Sequence, residues 1–172
     1  MRSIILSFSV FLFSVLSANA QNDRYGKFDF ELGFEVPLLA ASHEGKTNNI
    51  VPGIHLEGRW QLDSRPIDIG FHIGMSVIKR RFGKDYENYR ATPIMVISDY
   101  QFGRGERFNP YVGLGMGISE NVIVNTFGRG GVDFVISPRA GIRCFKFLNL
   151  ALGYHLTHTD YSRLYGTLGF YF

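Results

Sequence analysis

Hydrophobic and polar residues alternate with a period of two along most of the chain, which is typical of β-strands with one apolar and one polar face. The first such segment, Tyr25 to Leu39, has Phe28, Phe30, Leu32, Phe34, Val36 and Leu38 on one face and Lys27, Asp29, Glu31, Gly33 and Glu35 on the other. A helical period of 3.6 would scatter these carboxylates around the axis. The segment is therefore predicted to be a strand.

Seven further strands are predicted by the same alternation, with turn or loop signals between them. They are Ile50 to Leu62, Ile67 to Ile78, about Ala91 to Phe102, Phe108 to Ser119, Val132 to Phe145, Leu148 to Thr157 and Arg163 to Phe172. The fourth is the least regular, because Met95 and Ile97 are apolar although they alternate with the apolar Ile94 and Val96. Its alternation predicts that Asp99 lies on the polar face.

The last predicted strand ends at an aromatic residue, with Leu164, Leu168, Phe170 and Phe172 on its apolar face. An apolar strand at a frayed terminus is an aggregation-prone edge unless something covers it. Pairing the last strand with the first removes that edge by closing a barrel. An apolar outer face and a polar inner face predict that the barrel is surrounded by lipid.

The number of strands and the lengths of their connections agree with this interpretation. Transmembrane barrels have an even number of strands, each about 10 residues long in the apolar band. The connections after strands one, three and five are long and polar or charged, including Lys79 to Arg90 and Glu120 to Gly131, whereas those after strands two, four and six are tight. The sequence predicts an all-β, eight-stranded antiparallel transmembrane β-barrel, an up-and-down meander with both termini on the periplasmic side. The short loop after strand seven is the exception to the pattern.

Residues 1–20 have the features of a cleaved export signal. Arg2 forms a minimal positive region, Ile4 to Leu16 an apolar region, and Ala18 and Ala20 an A-x-A cleavage site. The expected mature chain, residues 21–172, is one barrel domain. Export, strands and alternate apolar residues together predict the bacterial outer membrane.

Composition adds little chemistry to this picture. The net charge of +3 is too small to indicate nucleic acid binding, and arginines are not interleaved with aromatic residues. The single cysteine, Cys144, has no partner for an intramolecular disulfide or a metal site. No cofactor, metal or nucleic acid is expected.

The polar faces predict a lumen that contains charges of both signs. An eight-stranded barrel is just wide enough for side chains to fill, and unpaired charge away from water is costly. We therefore predict a plug of salt bridges and hydrogen bonds, with a small polar pore opened by rearranged pairs as the alternative. The predicted network contains Glu31, Glu35, Glu57, Arg59, Asp133, Arg139 and Arg143.

The segment Asn109 to Gly117, NPYVGLGMG, together with the terminal LGFYF, resembles the small outer-membrane β-barrel family, the OmpA/OmpX/OmpW-like and opacity-type porins. The resemblance implies a monomer that is handled by periplasmic chaperones and the outer-membrane assembly machinery. In that family an aromatic last residue, with another two places before it, is part of the assembly signal. Phe170 and Phe172 match it, whereas the glycine expected earlier falls one place off, at Gly166.

A hydrolase is a weaker alternative. The position of the segment His158 to Tyr161, HTDY, resembles the place where the lipid A 3-O-deacylase family carries His-x-Ser-Asn. Aspartate replaces the serine, and a nucleophile needs a hydroxyl within reach of its base. We therefore predict no enzyme, and a structural role or one in interactions at the cell surface. A narrow passive-diffusion porin is the first alternative and the hydrolase the second.

Five cations cluster in the predicted loop after strand three. A solvated surface is the ordinary interpretation of such a cluster. In an outer leaflet the same residues would lie level with the phosphates of lipopolysaccharide, and arginine binds phosphate especially well. Lipopolysaccharide and outer-membrane lipid are therefore the expected partners of Lys79, Arg80, Arg81, Lys84 and Arg90.

Overall fold

The computed structural model describes residues 28–40, 50–62, 65–82, 85–104, 106–123, 130–145, 147–157 and 161–172. Within these ranges, eight antiparallel strands pair in chain order and close into one barrel. The strands are β1 Phe28–Ala40, β2 Ile50–Gln61, β3 Ile67–Phe82, β4 Asp85–Gln101, β5 Phe108–Ile123, β6 Gly130–Cys144, β7 Leu148–Thr157 and β8 Arg163–Tyr171. The predicted eight-stranded antiparallel barrel is confirmed.

Two predictions concern the ends of the chain. The export signal, with Ala18 and Ala20, is not among the described residues and stays a prediction. The periplasmic position of the termini also stays a prediction. The described part of the chain has no helix with the length and hydropathy needed to cross a membrane.

The last strand closes the barrel against the first, as the apolar terminus predicts. In the β1–β8 pairing Phe34 lies opposite Leu168 and Glu31 lies opposite Tyr171. The backbone N–H of Phe172 donates to the carbonyl of Phe30 at 2.8 Å. Strand β8 therefore has hydrogen-bond partners on both sides, β7 and β1, and leaves no free edge.

Side chains alternate between the lumen and the outer surface in β4 as in the more regular strands. Val96 is 64% exposed on the outside, whereas Asp99 is 1% exposed and lies inside. The apolar residues Met95 and Ile97 also lie inside, where they pack with Val135 of β6. The inward position predicted for Asp99 is confirmed, and the two apolar neighbours are explained by an apolar patch on the lumen wall.

The expected loop from Lys79 to Arg90 is wrong in its extent. Strands β3 and β4 continue through most of it, with Lys79 opposite Asn88 and Phe82 opposite Asp85. The predicted loop after β5 is also shorter, because Glu120 pairs with Val132. Backbone pairing does not require apolar side chains, so a ladder continues where the alternation of hydrophobicity has already ended.

One end of the barrel carries the connections after β2, β4 and β6, at residues 62–66, 102–107 and 145–147, and also the first residue of β1 and the last of β8. We call this the turn end, and the opposite end the loop end. Aromatic rings form contacts around the outside of the turn end. The ring of Trp60 lies 4.7 Å from that of Phe28, and the ring of Phe108 lies 5.2 Å from that of Phe145. Such girdles mark the boundary between hydrocarbon and head groups in transmembrane barrels.

The position of Trp60 predicts where it meets lipid. It is the single tryptophan of the chain, and it is exposed on the outer face near the turn end. In the refolded barrel we expect lipids brominated near the head group to quench its fluorescence more than lipids brominated at the chain end.

A matched double variant tests this assignment. In Trp60→Phe combined with Val96→Trp, the only indole lies farther from the turn end, on the outer face of β4. The preference should reverse in favour of chain-end bromine. Equal quenching of both proteins by both lipids would contradict the position of the girdle.

Candidate functional site

The lumen is crossed by ion pairs between strands that lie opposite each other in the barrel. Arg139 on β6 donates from Nη1 to Oε1 of Glu57 on β2 at 2.8 Å. The same guanidinium donates from Nε and Nη2 to the two carboxylate oxygens of Asp99, at 2.9 and 2.6 Å. This bidentate geometry is the strongest common form of an arginine–carboxylate contact. Because β2 and β6 are half the barrel apart, the Glu57–Arg139 bond spans the bore.

Arg59 also binds Glu57 and Asp99, and it joins Glu31 and Tyr171 to this centre. Its Nη1 donates to Oε2 of Glu31 at 2.6 Å, its Nη2 donates to Glu57, and its Nε lies 3.1 Å from Oδ2 of Asp99. Nη1 also contacts the hydroxyl of Tyr171 on β8. Glu31 in turn accepts hydrogen bonds from Nδ2 of Asn149 at 3.0 and 3.1 Å. We call Glu31, Glu57, Arg59, Asp99 and Arg139 the central network.

A second group of polar contacts lies nearer the turn end, around Asp68. Nη1 of Arg143 and Nε2 of Gln101 both donate to its Oδ2 at 2.8 Å. Arg104, which belongs to the turn between β4 and β5, donates to Oδ1 at 2.5 Å and to the carbonyls of Leu62 and Arg65 at 2.7 Å. Arg104 therefore ties two neighbouring turns together and caps this end of the lumen.

A third group lies on the loop side of the central network, around Glu35. Its Oε1 accepts from the hydroxyl of Ser76 at 3.3 Å and lies 3.5 Å from Nη2 of Arg163. His72 and His155 flank the same carboxylate at 3.6 and 3.8 Å. The ring of His155 stacks on that of Tyr165 at 4.1 Å. Glu35, Arg163 and both histidines are fully buried.

Inward glycines make room for the charged side chains. A Cβ at Gly113 would lie 2.0 Å from Oδ1 of Asp99, and one at Gly169 would lie 1.9 Å from Oε1 of Glu31. Both carboxylates are held by arginines and have no room to retreat. The inward glycines expected of a narrow barrel therefore stand where the network needs space.

The predicted lumen residues do not all join one cluster. Glu31, Glu57, Arg59 and Arg139 meet in the central network, whereas Glu35 and Arg143 belong to the groups on either side of it. Asp133 lies toward the loop end, where it accepts a hydrogen bond from Nδ2 of Asn121 at 2.8 Å. It is six residues from Arg139 along β6, which is about 20 Å of strand.

The other predicted sites lie on the outside of the barrel or beyond the described residues. Phe170 and Phe172 are exposed on the outer face at the turn end. Arg90 is exposed and lies 3.5 Å from Glu120. Lys84 and the side chains of Lys79, Arg80 and Arg81 are outside the described part of the chain, as are residues 158–160 of the predicted hydrolase motif.

Several network residues were not included in the predicted set. Asp68, Asp99, Arg163 and the three lumen histidines all occupy inward positions of their strands, so the alternation alone was sufficient to find them. Arg104 is different. It lies in a turn, where no period of side chains assigns a direction, and only the fold brings it to Asp68.

Comparison with solved structures identifies barrels of the same architecture. The chain superposes on the attachment invasion locus protein Ail of Yersinia pestis, solved in complex with the heparin analogue sucrose octasulfate, with a TM-score of 0.54, 15% identity and coverage of 84% of this chain and 97% of Ail. The N-terminal β-barrel domain of Pseudomonas aeruginosa OprF gives a TM-score of 0.55, 14% identity and coverage of 87% and 100%. Neisserial surface protein A gives 0.55, 11%, 84% and 94%.

The fold is that of the small outer-membrane β-barrels. At these identities the likeness concerns the fold alone, and it covers nearly the whole length of each of the three proteins. No protein-family model matches the chain, and no curated protein matches it. The lumen contacts described above are therefore those of this sequence within a small outer-membrane barrel fold.

The glycine at position 113 gives a direct test of the network geometry. We expect Gly113→Ala to lower the free energy of unfolding by about 1–3 kcal/mol, because the new methyl group forces Asp99 away from Arg139. Urea unfolding of the refolded barrel, followed by the heat-modifiable mobility of the folded form on gels, measures the change.

Gly115→Ala is the matched control, two residues along the same strand. The nearest atoms to its Cβ would be the sulfur of Met95 at 3.3 Å and the side chains of Ile97 and Ser137 at 3.4 Å. It should cost much less than Gly113→Ala. Equal losses in the two variants would show that Asp99 is not held as described.

Proposed function

We propose that this chain is an integral protein of the bacterial outer membrane whose lumen is closed by its ion pairs, and whose role is structural or lies in contacts at the cell surface. The observation that carries the proposal is the bond from Glu57 on β2 to Arg139 on β6, because it joins opposite walls of the barrel. Asp99 and Arg59 fill the space beside it. In this proposal the lumen is filled by paired side chains and contains no continuous column of water.

The outside of the barrel supports a position in lipid. Large apolar side chains are exposed on the outer faces of all eight strands, including Phe34, Ile54, Met116 and Leu152. A barrel in water would place these residues in its core. Inside, the same strands bury glutamate, aspartate and arginine, so the usual distribution of polarity is inverted. An apolar band around a polar interior is the arrangement that a bilayer stabilises.

Conductance in planar bilayers tests whether the lumen is closed. We expect the refolded wild-type barrel to be electrically silent. Arg139→Ala should stay silent while it lowers the free energy of unfolding by about 3–5 kcal/mol, because it leaves Glu57 and Asp99 without their strongest partner. The heat-modifiable mobility of each sample verifies that the silent protein is folded.

Arg90→Ala is the control for the loss of an arginine. Arg90 pairs with Glu120 at 3.5 Å on the exposed surface, so its removal should cost about 0–1 kcal/mol. Steady openings of the wild type would contradict the closed lumen and identify a narrow diffusion porin. Openings that appear only in Arg139→Ala would identify the pair as a gate.

We also infer that the paired β3–β4 extension contacts lipopolysaccharide. Lys79, Arg80 and Arg81 lie on the part of β3 that continues toward the loop end, with Arg90 on the facing strand. Four cations thus lie on two adjacent strands, and Lys84 lies between them in the sequence, so this extension is rich in residues that bind phosphate.

Binding of refolded barrel to lipopolysaccharide and to its dephosphorylated form tests this contact. Replacing all five cations by alanine should weaken binding to the phosphorylated form by about tenfold, or about 1.4 kcal/mol, and leave the dephosphorylated form unaffected. The double variant Arg65→Ala, Arg107→Ala removes two exposed arginines from the turn end and is the control. Similar losses in both variants would indicate general charge attraction and overturn the specific contact.

Assembly into the membrane is the last part of the proposal. Phe170 and Phe172 stand on the outer face of the closing strand, so a signal formed by them is accessible before β8 pairs with β1. The outer-membrane assembly machinery and periplasmic chaperones are the partners that such a signal implies.

A further inference from the structure

His72 lies between two buried glutamates. Its Nδ1 is 2.7 Å from Oε1 of Glu57, and its Nε2 is 3.6 Å from Oε2 of Glu35. All three side chains are fully enclosed in the lumen. A neutral imidazole has a hydrogen on one ring nitrogen and a lone pair on the other. Neutral His72 would therefore direct a lone pair at a carboxylate in a place that water does not screen.

The contacts among the lumen charges also favour a cation at His72. Asp68 is bound at the turn end by Arg143 and Arg104. The remaining buried carboxylates among the described residues are four, and three arginines are left to pair with them, since Arg143 reaches Asp99 only at 3.8 Å. The four are Glu31, Glu35, Glu57 and Asp99, and the three are Arg59, Arg139 and Arg163. One further positive charge balances the set.

The other two lumen histidines have a different environment. His55 contacts one carboxylate, with Nε2 at 3.0 Å from Oε1 of Glu31, and a neutral ring satisfies that contact by donating one hydrogen. His155 lies 3.8 Å from Oε1 of Glu35, on the same side of the lumen as Arg163. Among the described histidines, only His72 has a carboxylate at each ring nitrogen within 4 Å.

Charged and titratable groups face His72 from several strands of the barrel. Glu35 comes from β1, and the ring of His55 on β2 stacks on His72 at 5.7 Å. The ring of His155 on β7 lies 6.4 Å away. Three cations act on its carboxylates: Arg59 on β2 binds Glu57, Arg139 on β6 donates to the same oxygen of Glu57 as His72, and Arg163 on β8 lies near Glu35. The wall formed by Met95 and Ile97 of β4 is apolar.

We propose that His72 is a proton-binding site, an imidazolium ion that bridges Glu35 and Glu57 at neutral pH and joins the group around Glu35 to the central network. The site deepens the proposed function, since it rests on a lumen that is closed to bulk water. The bound proton is a structural component of the plug. When it leaves, two buried glutamates lose the cation that they share, and the link between the group around Glu35 and the central network is lost.

The ring nitrogens report the protonation state directly. In the refolded barrel labelled with ¹⁵N-histidine, NMR at pH 7.5 should show one of the five histidines with both ring nitrogens in the protonated range. An exposed histidine titrates at about pH 6.5 and is mostly neutral there. The signal of His72 is assigned by its loss in His72→Gln, or by elimination with His55→Gln and His155→Gln if that variant does not fold. A neutral signature for His72 at pH 7.5 would overturn the proposal.

Stability against pH tests the consequence. The folded barrel retains one proton that the unfolded chain releases above about pH 6.5. Stability is therefore complete below that pH and falls as the pH rises, by up to about tenfold in the folding equilibrium constant for each pH unit. Urea unfolding of the wild type between pH 6 and pH 9 should show this slope. His55→Gln should keep it, and His72→Gln should remove it.

Conductance measured on the same samples separates this inference from the proposed function. If the wild type conducts and His72 is an imidazolium, the proposal of a closed lumen is overturned and the proposal of a proton site is supported. If the wild type is silent but His72 is neutral, the closed lumen is supported and the proton site is overturned. The same holds if the wild type is silent and the dependence of stability on pH persists in His72→Gln.

Discussion

A charge taken out of water inside a narrow barrel costs several kcal/mol unless an opposite charge faces it, and most of the architecture of this lumen follows from that cost. Eight strands enclose only enough space for side chains. Glu57 consequently has Arg59, Arg139 and His72 around its two oxygens, and Asp99 is held by two hydrogen bonds from Arg139. Inward glycines, such as Gly113, stand where a side chain would push these groups apart.

The outer surface is apolar where the lumen is polar. In lipid, every backbone N–H and C=O must be bonded within the protein, because no water is present to replace a lost partner. Pairing β8 with β1 meets this condition where the sheet closes, since the apolar strand β8 would otherwise be an edge. The exposed aromatic rings of the turn end and the apolar band beyond them are suited to contact with lipid. Closure and inverted polarity are therefore two consequences of one environment.

The alternation of the sequence was enough to assign a direction to nearly every strand residue, because a period of two admits only two faces. Even Asp99, in the least regular strand, lies where its parity puts it. The alternation does not show which inward residues form ion pairs with one another. Glu57 and Arg139 are 82 residues apart, and their contact depends on the stagger between strands, which no single strand encodes. Arg104 reaches Asp68 from a turn, and the paired extension of β3 and β4 is too charged to show in a hydrophobic pattern.

The part of the lumen that is able to rearrange is the part in which a charged side chain has a second ion-pair partner within reach. Arg143 lies 2.8 Å from Asp68 and 3.8 Å from Asp99, while Asp68 is also held by Arg104. Arg143 is thus able to move toward Asp99 without leaving Asp68 alone. Arg139 has no such alternative, since it already binds both Glu57 and Asp99 and its departure would leave both with fewer partners. The turn-end group is accordingly the adaptable part of the lumen, and the pair that spans the bore is the fixed part.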